Sequence, residues 1–207
     1  MSDERLRELE RAWSTAEDPD LELAYVQALV RAGLPQPRLL LAAYLGSEGA
    51  LGLLGDLGFP EEPNLSAWVA GLGKGRVARS ADLAREAALR AALAALDVAR
   101  AHGVRLAQLD EVARSAQAWL QPAERPGHQA ALRVFTGPRQ GPTPAERVSL
   151  DLARVITARE VSAAANAASR AVRGLATLSG GSKKAVHAEM RAAIRRRLLV
   201  WTLRSEL

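Results

Sequence analysis

The sequence predicts an all-α protein in which helical hairpins are followed by an α-helical bundle. Of the 207 residues, 48% are hydrophobic but only 4% are aromatic, so Leu and Ala must fill most of the core, and both favour helix. Strong helix starts recur, as at Asp18-Pro19 and Thr143-Pro144, where a capping side chain precedes a proline at the first helical position. No segment alternates apolar and polar residues in the manner of a half-buried strand.

Residues 1–58 are expected to form a small acidic module of four short helices. Capping and turn residues place the starts of these helices at Ser2, Asp18, Arg38 and Ser47. Four short helices joined by short turns give two helical hairpins, which are also the unit of solenoid-like stacks, so a helical repeat protein is an alternative. Residues 56–64 contain two prolines and three acidic residues and are the predicted linker.

The segment from Ser80 to Leu120 is predicted to be the centre of the fold. Its first helix should end at His102-Gly103, because glycine can adopt the left-handed conformation that closes a helix. Its second helix should run to Leu120, where Pro122 follows. We expect a central helical hairpin whose Ala-rich side lets neighbouring helices pack closely.

The rest of the larger, basic bundle, residues 64–205, should consist of long helices. Four prolines and three glycines lie within residues 121–143, and a short helix is expected there over residues 130–135. The helix that begins at Thr143-Pro144 should run to Leu178 with a break near Ala158. The last helix should be capped by Ser182, and its inward residues should be Val186, Met190, Ile194, Leu198 and Trp201.

Charge is distributed unevenly along the chain, which has a net charge of +5. Residues 1–64 contain 5 basic and 12 acidic residues, a net charge of −7, whereas residues 65–207 contain 23 basic and 11 acidic residues, a net charge of +12. Such a division indicates either that one part docks on the other or that a basic surface is available to an anionic partner.

The composition also limits the class and compartment of the protein. The chain has no cysteine, which excludes disulfides, thiolate metal sites and cysteine catalysis. The first ten residues are highly charged, so no secretory signal is expected. No stretch approaches the ~18 consecutive apolar residues that a membrane span needs. We therefore expect a soluble, cytoplasmic protein with no membrane partner.

No motif indicates catalysis. His102, His128 and His187 are isolated and lack the spacing of metal ligands, and the G-x-S-x-G motif is absent. The glycine-rich run over residues 71–75 follows no strand and lacks P-loop spacing, so a flexible helix junction is favoured over a phosphate cradle. We expect no enzyme activity, no cofactor and no metal site.

The last predicted helix carries the candidate binding residues. This basic cluster consists of Lys183, Lys184, Arg191, Arg195, Arg196 and Arg197. With Ser179–Ser182 before them, the two lysines resemble an anion site at a helix start, although a plain interhelical turn is the simpler interpretation. The cluster as a whole is expected to make one side of the helix strongly positive. That side can attract nucleic acid, bind an acidic protein, remain solvated, or be covered by acidic residues 17–20 or 61–62.

Two segments resemble known bacterial families. Residues 9–55 resemble an amino-terminal helical module of myxobacterial and related proteins, and the matching features are Trp13, Tyr25, Arg31–Gly33 and Leu41–Gly46. Residues 68–120 are similar to the Ala-rich helical region of bacterial immunity proteins at Asp110, Ala113, Ala116, Ala118 and Trp119. The helix start common in that second family, Asp-Arg-Pro, is Leu109-Asp110-Glu111 here. The resemblance implies a helical binding protein, such as one that neutralises a toxin.

These observations together predict a non-enzymatic protein that binds a protein partner through a helical surface, in an immunity or adaptor role. The alternative is nucleic-acid binding through the basic carboxy-terminal helix. The two differ in their response to salt, because counterion release makes nucleic-acid affinity fall steeply as salt is added.

Overall fold

The structure, a computed structural model, describes residues 3–16, 18–55, 57–59, 64–75, 77, 80–105, 107–121 and 142–204. Within these residues it contains ten helices and no strand, which confirms the all-α prediction. The helices are α1 (Asp3–Ala16), α2 (Pro19–Arg31), α3 (Gln36–Tyr44), α4 (Glu48–Leu54), α5 (Leu65–Gly71), α6 (Ala81–Ala101), α7 (Ala107–Trp119), α8 (Pro144–Thr157), α9 (Val161–Leu178) and α10 (Lys183–Leu203).

Most of the predicted N-cap residues form hydrogen bonds with the first turn of their helices. The side chain of Asp18 accepts a hydrogen bond from the Asp20 amide at 2.8 Å, and Thr143 forms a complete capping box with Glu146. Ser182 occupies the N-cap position of α10, as predicted, but its side chain makes no capping hydrogen bond. The cap at Ser2 and the short helix over residues 130–135 lie outside the described residues.

The predicted break between α8 and α9 is present. Ala158 has extended backbone dihedral angles, φ −61° and ψ 136°, which end α8. The guanidinium of Arg85 on α6 donates to the carbonyls of Ile156 at 3.0 Å and Arg159 at 3.3 Å. Ile156 lies in the last turn of α8 and Arg159 just after it, where carbonyls lack the amide partners of a continuing helix, so the arginine satisfies groups that the break leaves free.

Helix α6 lies at the centre of the bundle, as predicted, but it does not form a packed hairpin with α7. It contacts α9, α10 and α8, and every residue from Ala91 to Leu96 is buried. Small alanines on α6 and α9 let these two helices approach closely. Helix α7 packs mainly against α8 and touches α6 only sparsely, so the predicted hairpin is corrected to two helices with different neighbours.

The amino-terminal helices form a layer on this bundle. Helix α2 packs between α1 and α4, and α3 contacts α10. The hydroxyl of Tyr25 on α2 donates to the carbonyl of Leu203 at the end of α10, at 3.1 Å, and Trp13 of α1 stacks on the Tyr25 ring at 5.2 Å. The division into residues 1–58 and 64–205 stays a prediction, and the buried residues of both segments belong to one contiguous core.

None of the helices described is long and apolar enough to cross a membrane.

Candidate functional site

Arg191, a member of the basic cluster, lies against an aromatic pair formed by Trp68 and Tyr44. Its guanidinium carbon is 5.5 Å from the centre of the Trp68 ring, and Trp68 is buried in the middle of α5. The Tyr44 ring is stacked on that of Trp68, with 6.5 Å between the two ring centres and an interplanar angle of 18°. A guanidinium over an indole face is attracted by the negative charge of the ring. Arg191 is therefore part of the packing between α10 and α5.

Gly71 allows this aromatic pair to form. The hydroxyl of Tyr44 donates to the carbonyl of Trp68 at 2.6 Å, and a Cβ atom at position 71 would lie 1.9 Å from that hydroxyl oxygen. Gly73, two residues on, approaches α9 closely, since a Cβ there would lie 2.6 Å from the Cβ of Ala165. The glycine run predicted to be a flexible junction thus contains two positions where close packing requires glycine.

Burial raises the pKa of Tyr44 to about 12, because the ionised phenolate would lose its hydration, while the positive charge of Arg191 acts in the opposite direction. Burial also raises the pKa of Tyr25, and the carboxylate of Glu10 contributes to that increase, whereas Arg204 lowers it. Both phenols therefore stay neutral and serve as hydrogen-bond donors to backbone carbonyls.

Two further arginines of the basic cluster have partners within the chain. Arg195 donates to the carbonyl of Gly46, after α3, at 2.6 Å. Arg197 donates to the carboxylate of Asp97 on α6 at 2.6 Å. Asp97 also lies 3.4 Å from Arg100, whose other nitrogen is 2.6 Å from Asp110 on α7. The result is a chain of ion pairs that joins α10, α6 and α7.

The remaining cations of the cluster, Lys183, Lys184 and Arg196, are exposed and make no hydrogen bond or ion pair within the described residues. Within the described residues, three of the six cations thus contact the chain itself, and whether the cluster makes one side of α10 strongly positive stays a prediction. Among the described residues, Asp97 forms an ion pair with the cluster through Arg197, and residues 17 and 61–62 lie outside the described residues. Whether the six residues bind an anion or a partner stays a prediction.

Trp201, which the helical pattern places on the inward face of α10, packs against the edge of the core and is not fully buried. It is half-buried on α10, with the guanidinium of Arg90 4.7 Å from its ring centre and that of Arg38 5.7 Å away. The two arginines come from α6 and α3, so three helices meet at this indole. The large flat ring and the polar nitrogen of tryptophan suit a boundary position of this kind.

The histidines lie apart from one another. The Nε2 atom of His102 is 2.7 Å from a carboxylate oxygen of Glu189, an interhelical contact that the sequence did not indicate. His187 is half-buried on α10, and His128 lies outside the described residues. No group of three or more histidine, aspartate or glutamate side chains that could hold a metal occurs in the part of the chain that the structure describes.

The exposed large hydrophobic side chains lie on the amino-terminal layer. Among the described residues these are Val30 on α2 and Leu53 on α4, each 40% exposed. Helix α4 packs mainly against α2 and α3. Single exposed apolar residues are ordinary, but here both occur within one layer of four short helices.

A polar groove lies on the same layer, where α1 meets the end of α10. This α1 groove has a volume of about 350 Å³ and is lined by Arg7, Glu10, Arg11, Ser14 and Arg204. Arg204 donates to Glu10 at 2.9 Å, and a second depression beside it contains Glu4 and Glu8. The sequence alone does not indicate this groove, because Arg204 and α1 are nearly 200 positions apart. The spacing of Arg7 and Arg11, one helical turn, was the available signal.

Comparisons with known proteins give no match: no protein-family model fits the chain, and neither a curated protein nor a solved structure is significantly similar to it. The resemblances of residues 9–55 and 68–120 to bacterial families stay predictions.

Proposed function

We propose that this chain is a non-enzymatic protein-binding module that contacts its partner through the outer surface of the amino-terminal layer, α1, α2 and α4. One observation carries the proposal: the exposed hydrophobic side chains and the α1 groove occur together on this layer. Protein interfaces combine a few apolar anchors with arginines, and both are present here within helices packed side by side.

The immunity or adaptor role is the concrete form of this proposal. It draws on the resemblance of residues 9–55 to an amino-terminal helical module, because that segment contains α2, α3 and α4 and most of α1. A rigid helical layer suits such a role, since little conformational entropy is lost when a preformed surface binds. A bacterial source and a cytoplasmic location accompany the same proposal.

Nucleic-acid binding through α10 remains the second candidate function. It is favoured by Lys183, Lys184 and Arg196, which are exposed and have no partner within the described residues. It is weakened by the contacts of Arg191, Arg195 and Arg197, because a cation that already has a partner releases fewer counterions from a phosphate backbone.

The experiment that tests the proposed function is capture from a lysate of the source organism with three immobilised baits, each washed at low and at high salt. The baits are the wild type, V30E/L53E on the amino-terminal layer, and A185E/A188E on α10 as a control with the same added charge at exposed positions. We expect a protein that survives the high-salt wash on the wild type and the control but is lost from V30E/L53E.

Two results would contradict the proposal. If nucleic acid is the only material enriched, and high salt removes it, the α10 alternative is supported. If a partner protein is lost from A185E/A188E and retained by V30E/L53E, the binding surface is on α10.

A further inference from the structure

The α1 groove contains more positive than negative charge. Three of its five residues are arginines and one is a glutamate, which gives the groove a net charge of +2. Arg7 and Arg11 are one turn apart on α1, so their side chains project from the same face, and Arg204 approaches from the end of α10. The groove therefore brings together guanidinium groups from both ends of the chain.

The guanidinium groups of the groove are available to a ligand. Arg7 and Arg11 are exposed, and their side chains make no hydrogen bond or ion pair within the described residues. Arg204 uses its Nε atom to bind Glu10, which leaves its two terminal nitrogens free of that bond, and its side chain is 63% exposed. Glu10 thus holds one arginine in place while the other two remain open to solvent.

The groove favours carboxylates as ligands. A guanidinium presents parallel N–H groups that match the two oxygens of a carboxylate, and such charge-assisted bonds are stronger than neutral ones. Arg7 and Arg11 are separated by a rise of about 6 Å along the helix. This is close to the ~6.6 Å between alternate residues of an extended peptide, whose side chains project to the same side and can place two carboxylates against the two arginines. The hydroxyl of Ser14 donates to the carbonyl of Arg11 at 2.9 Å, so its oxygen can accept an N–H group of that peptide.

The acidic residues around the groove favour a peptide over a nucleic acid. Glu4 and Glu8 line the adjoining depression together with Arg7 and Arg11, and Glu10 lies within the groove itself. A phosphate backbone carries charge at closely spaced and regular positions, so it would meet these carboxylates and be repelled. A peptide can place its carboxylates between them, which gives the groove selectivity by repulsion as well as attraction.

We propose that the α1 groove binds an acidic segment of the partner protein, with Arg7, Arg11 and Arg204 as the residues that hold its carboxylates. This inference rests on the proposed function and adds to it the chemical class of the partner surface. It also assigns the partner contact to residues that lie outside the basic cluster of α10.

The test is a fluorescence-anisotropy titration at low ionic strength, with a labelled eight-residue peptide that alternates glutamate and serine as the probe, because its carboxylates then occupy every second position. Two double variants are compared with the wild type: R7E/R11E in the groove, and K183E/K184E at the start of α10, which changes the net charge by the same amount at exposed residues. We expect R7E/R11E to weaken binding at least about tenfold and K183E/K184E to weaken it less than about threefold. Circular dichroism checks that each variant folds, and R7A/R11A replaces R7E/R11E if it does not.

Several outcomes would overturn the inference. One is a wild type that does not bind the peptide, and another is an equal loss of affinity for it in the two charge variants. The same conclusion follows if K183E/K184E loses more affinity than R7E/R11E, or if a single-stranded oligonucleotide binds more tightly than the peptide.

A lysate capture separates this inference from the proposed function. If R7E/R11E retains the partner protein as well as the wild type does, the groove is wrong and protein binding stands. If the groove variant loses the peptide but no bait captures a protein, the proposed function fails while the groove stands.

Discussion

The arginines of α10 and those of α1 have different environments, although both helices are rich in charged residues. On α10, Arg191 lies over Trp68, Arg195 binds a backbone carbonyl and Arg197 binds Asp97. On α1, Arg7 and Arg11 line an open groove and bind nothing within the described residues. Helix α10 thus has more positive charge than α1, but a smaller fraction of its arginines is available to a partner.

This difference shows that the number of cations in a segment does not determine which of them can bind a ligand. An arginine that contacts an aromatic ring or a carbonyl of its own chain contributes to folding, and a ligand must compete with that contact. An exposed arginine without such a contact loses only its hydration and side-chain freedom when it binds. The following predictions test whether the two sets of arginines differ in this way.

The largest effect is expected for Gly71→Ala, which disturbs the aromatic support of Arg191. The added methyl group would overlap the Tyr44 hydroxyl, which lies 1.9 Å from the position of the new Cβ atom. Moving Tyr44 breaks its bond to the carbonyl of Trp68, so we expect the free energy of unfolding to fall by about 3 kcal/mol in a urea titration. Gly75→Ala is the control, because a Cβ atom there has no neighbour within 4 Å, and it should stay within about 1 kcal/mol of the wild type.

A smaller change in the stability of the fold is expected when the pH is raised. Since burial raises the pKa of Tyr44 from 10.0 to about 12, the fold favours the neutral phenol. This contribution is complete below pH 10.0 and is lost as the pH rises through 10.0 towards 12. Tyr25 acts in the same direction, and the chain has only 2 tyrosines. Native protein at pH 10.0 should therefore show almost no tyrosinate absorbance, whereas urea-unfolded protein should be about half ionised. Tyrosinate that appears at this pH while the helical circular dichroism is intact would contradict the burial of these phenols.

Arg191→Ala should destabilise the protein more than the same substitution at Arg196 on the same helix. Loss of the contact between Arg191 and the Trp68 ring is expected to cost about 1 kcal/mol, because the indole is buried. Arg196 has no partner within the described residues, so its substitution should change stability by less than about 0.5 kcal/mol. Equal changes in the denaturant midpoint of the two variants would show that Arg191 is as free as Arg196.

The smallest effect on stability is expected for R7A/R11A. Both side chains are exposed on α1 and contribute no hydrogen bond or ion pair within the described residues. We expect the free energy of unfolding to change by less than about 0.5 kcal/mol, with alanine tolerated well in a helix. A loss well beyond this in thermal and urea unfolding would mean that the two arginines hold the fold together and are not reserved for a ligand.

The parts of the fold that depend on neighbouring residues were predictable from the sequence. The caps at Asp18 and Thr143 and the break at Ala158 arise from contacts within a few positions, and the structure confirms all three. The all-α class followed from the same local preferences together with the abundance of alanine and leucine.

The parts that depend on distant contacts were not predictable. Helical periodicity placed Trp201 on the inward face of α10, but it did not indicate that the guanidiniums of Arg38 and Arg90 lie against its ring at the edge of the core. The pairing of α7 with α8 and the ion pair between Arg197 and Asp97 are also set by how the helices pack. The α1 groove was unpredictable for the same reason, since it forms only when the two ends of the chain meet.

The measurement that tests the contrast between the two helices most directly is arginine modification by a dicarbonyl reagent, followed residue by residue with mass spectrometry. Rates in the native protein are divided by rates in the urea-unfolded protein, which corrects for the intrinsic reactivity of each site. The account predicts that Arg7, Arg11 and Arg196 react at nearly unfolded rates, while Arg191 is protected several-fold. Protection of Arg7 and Arg11, or reaction of Arg191 as rapid as theirs, would contradict it.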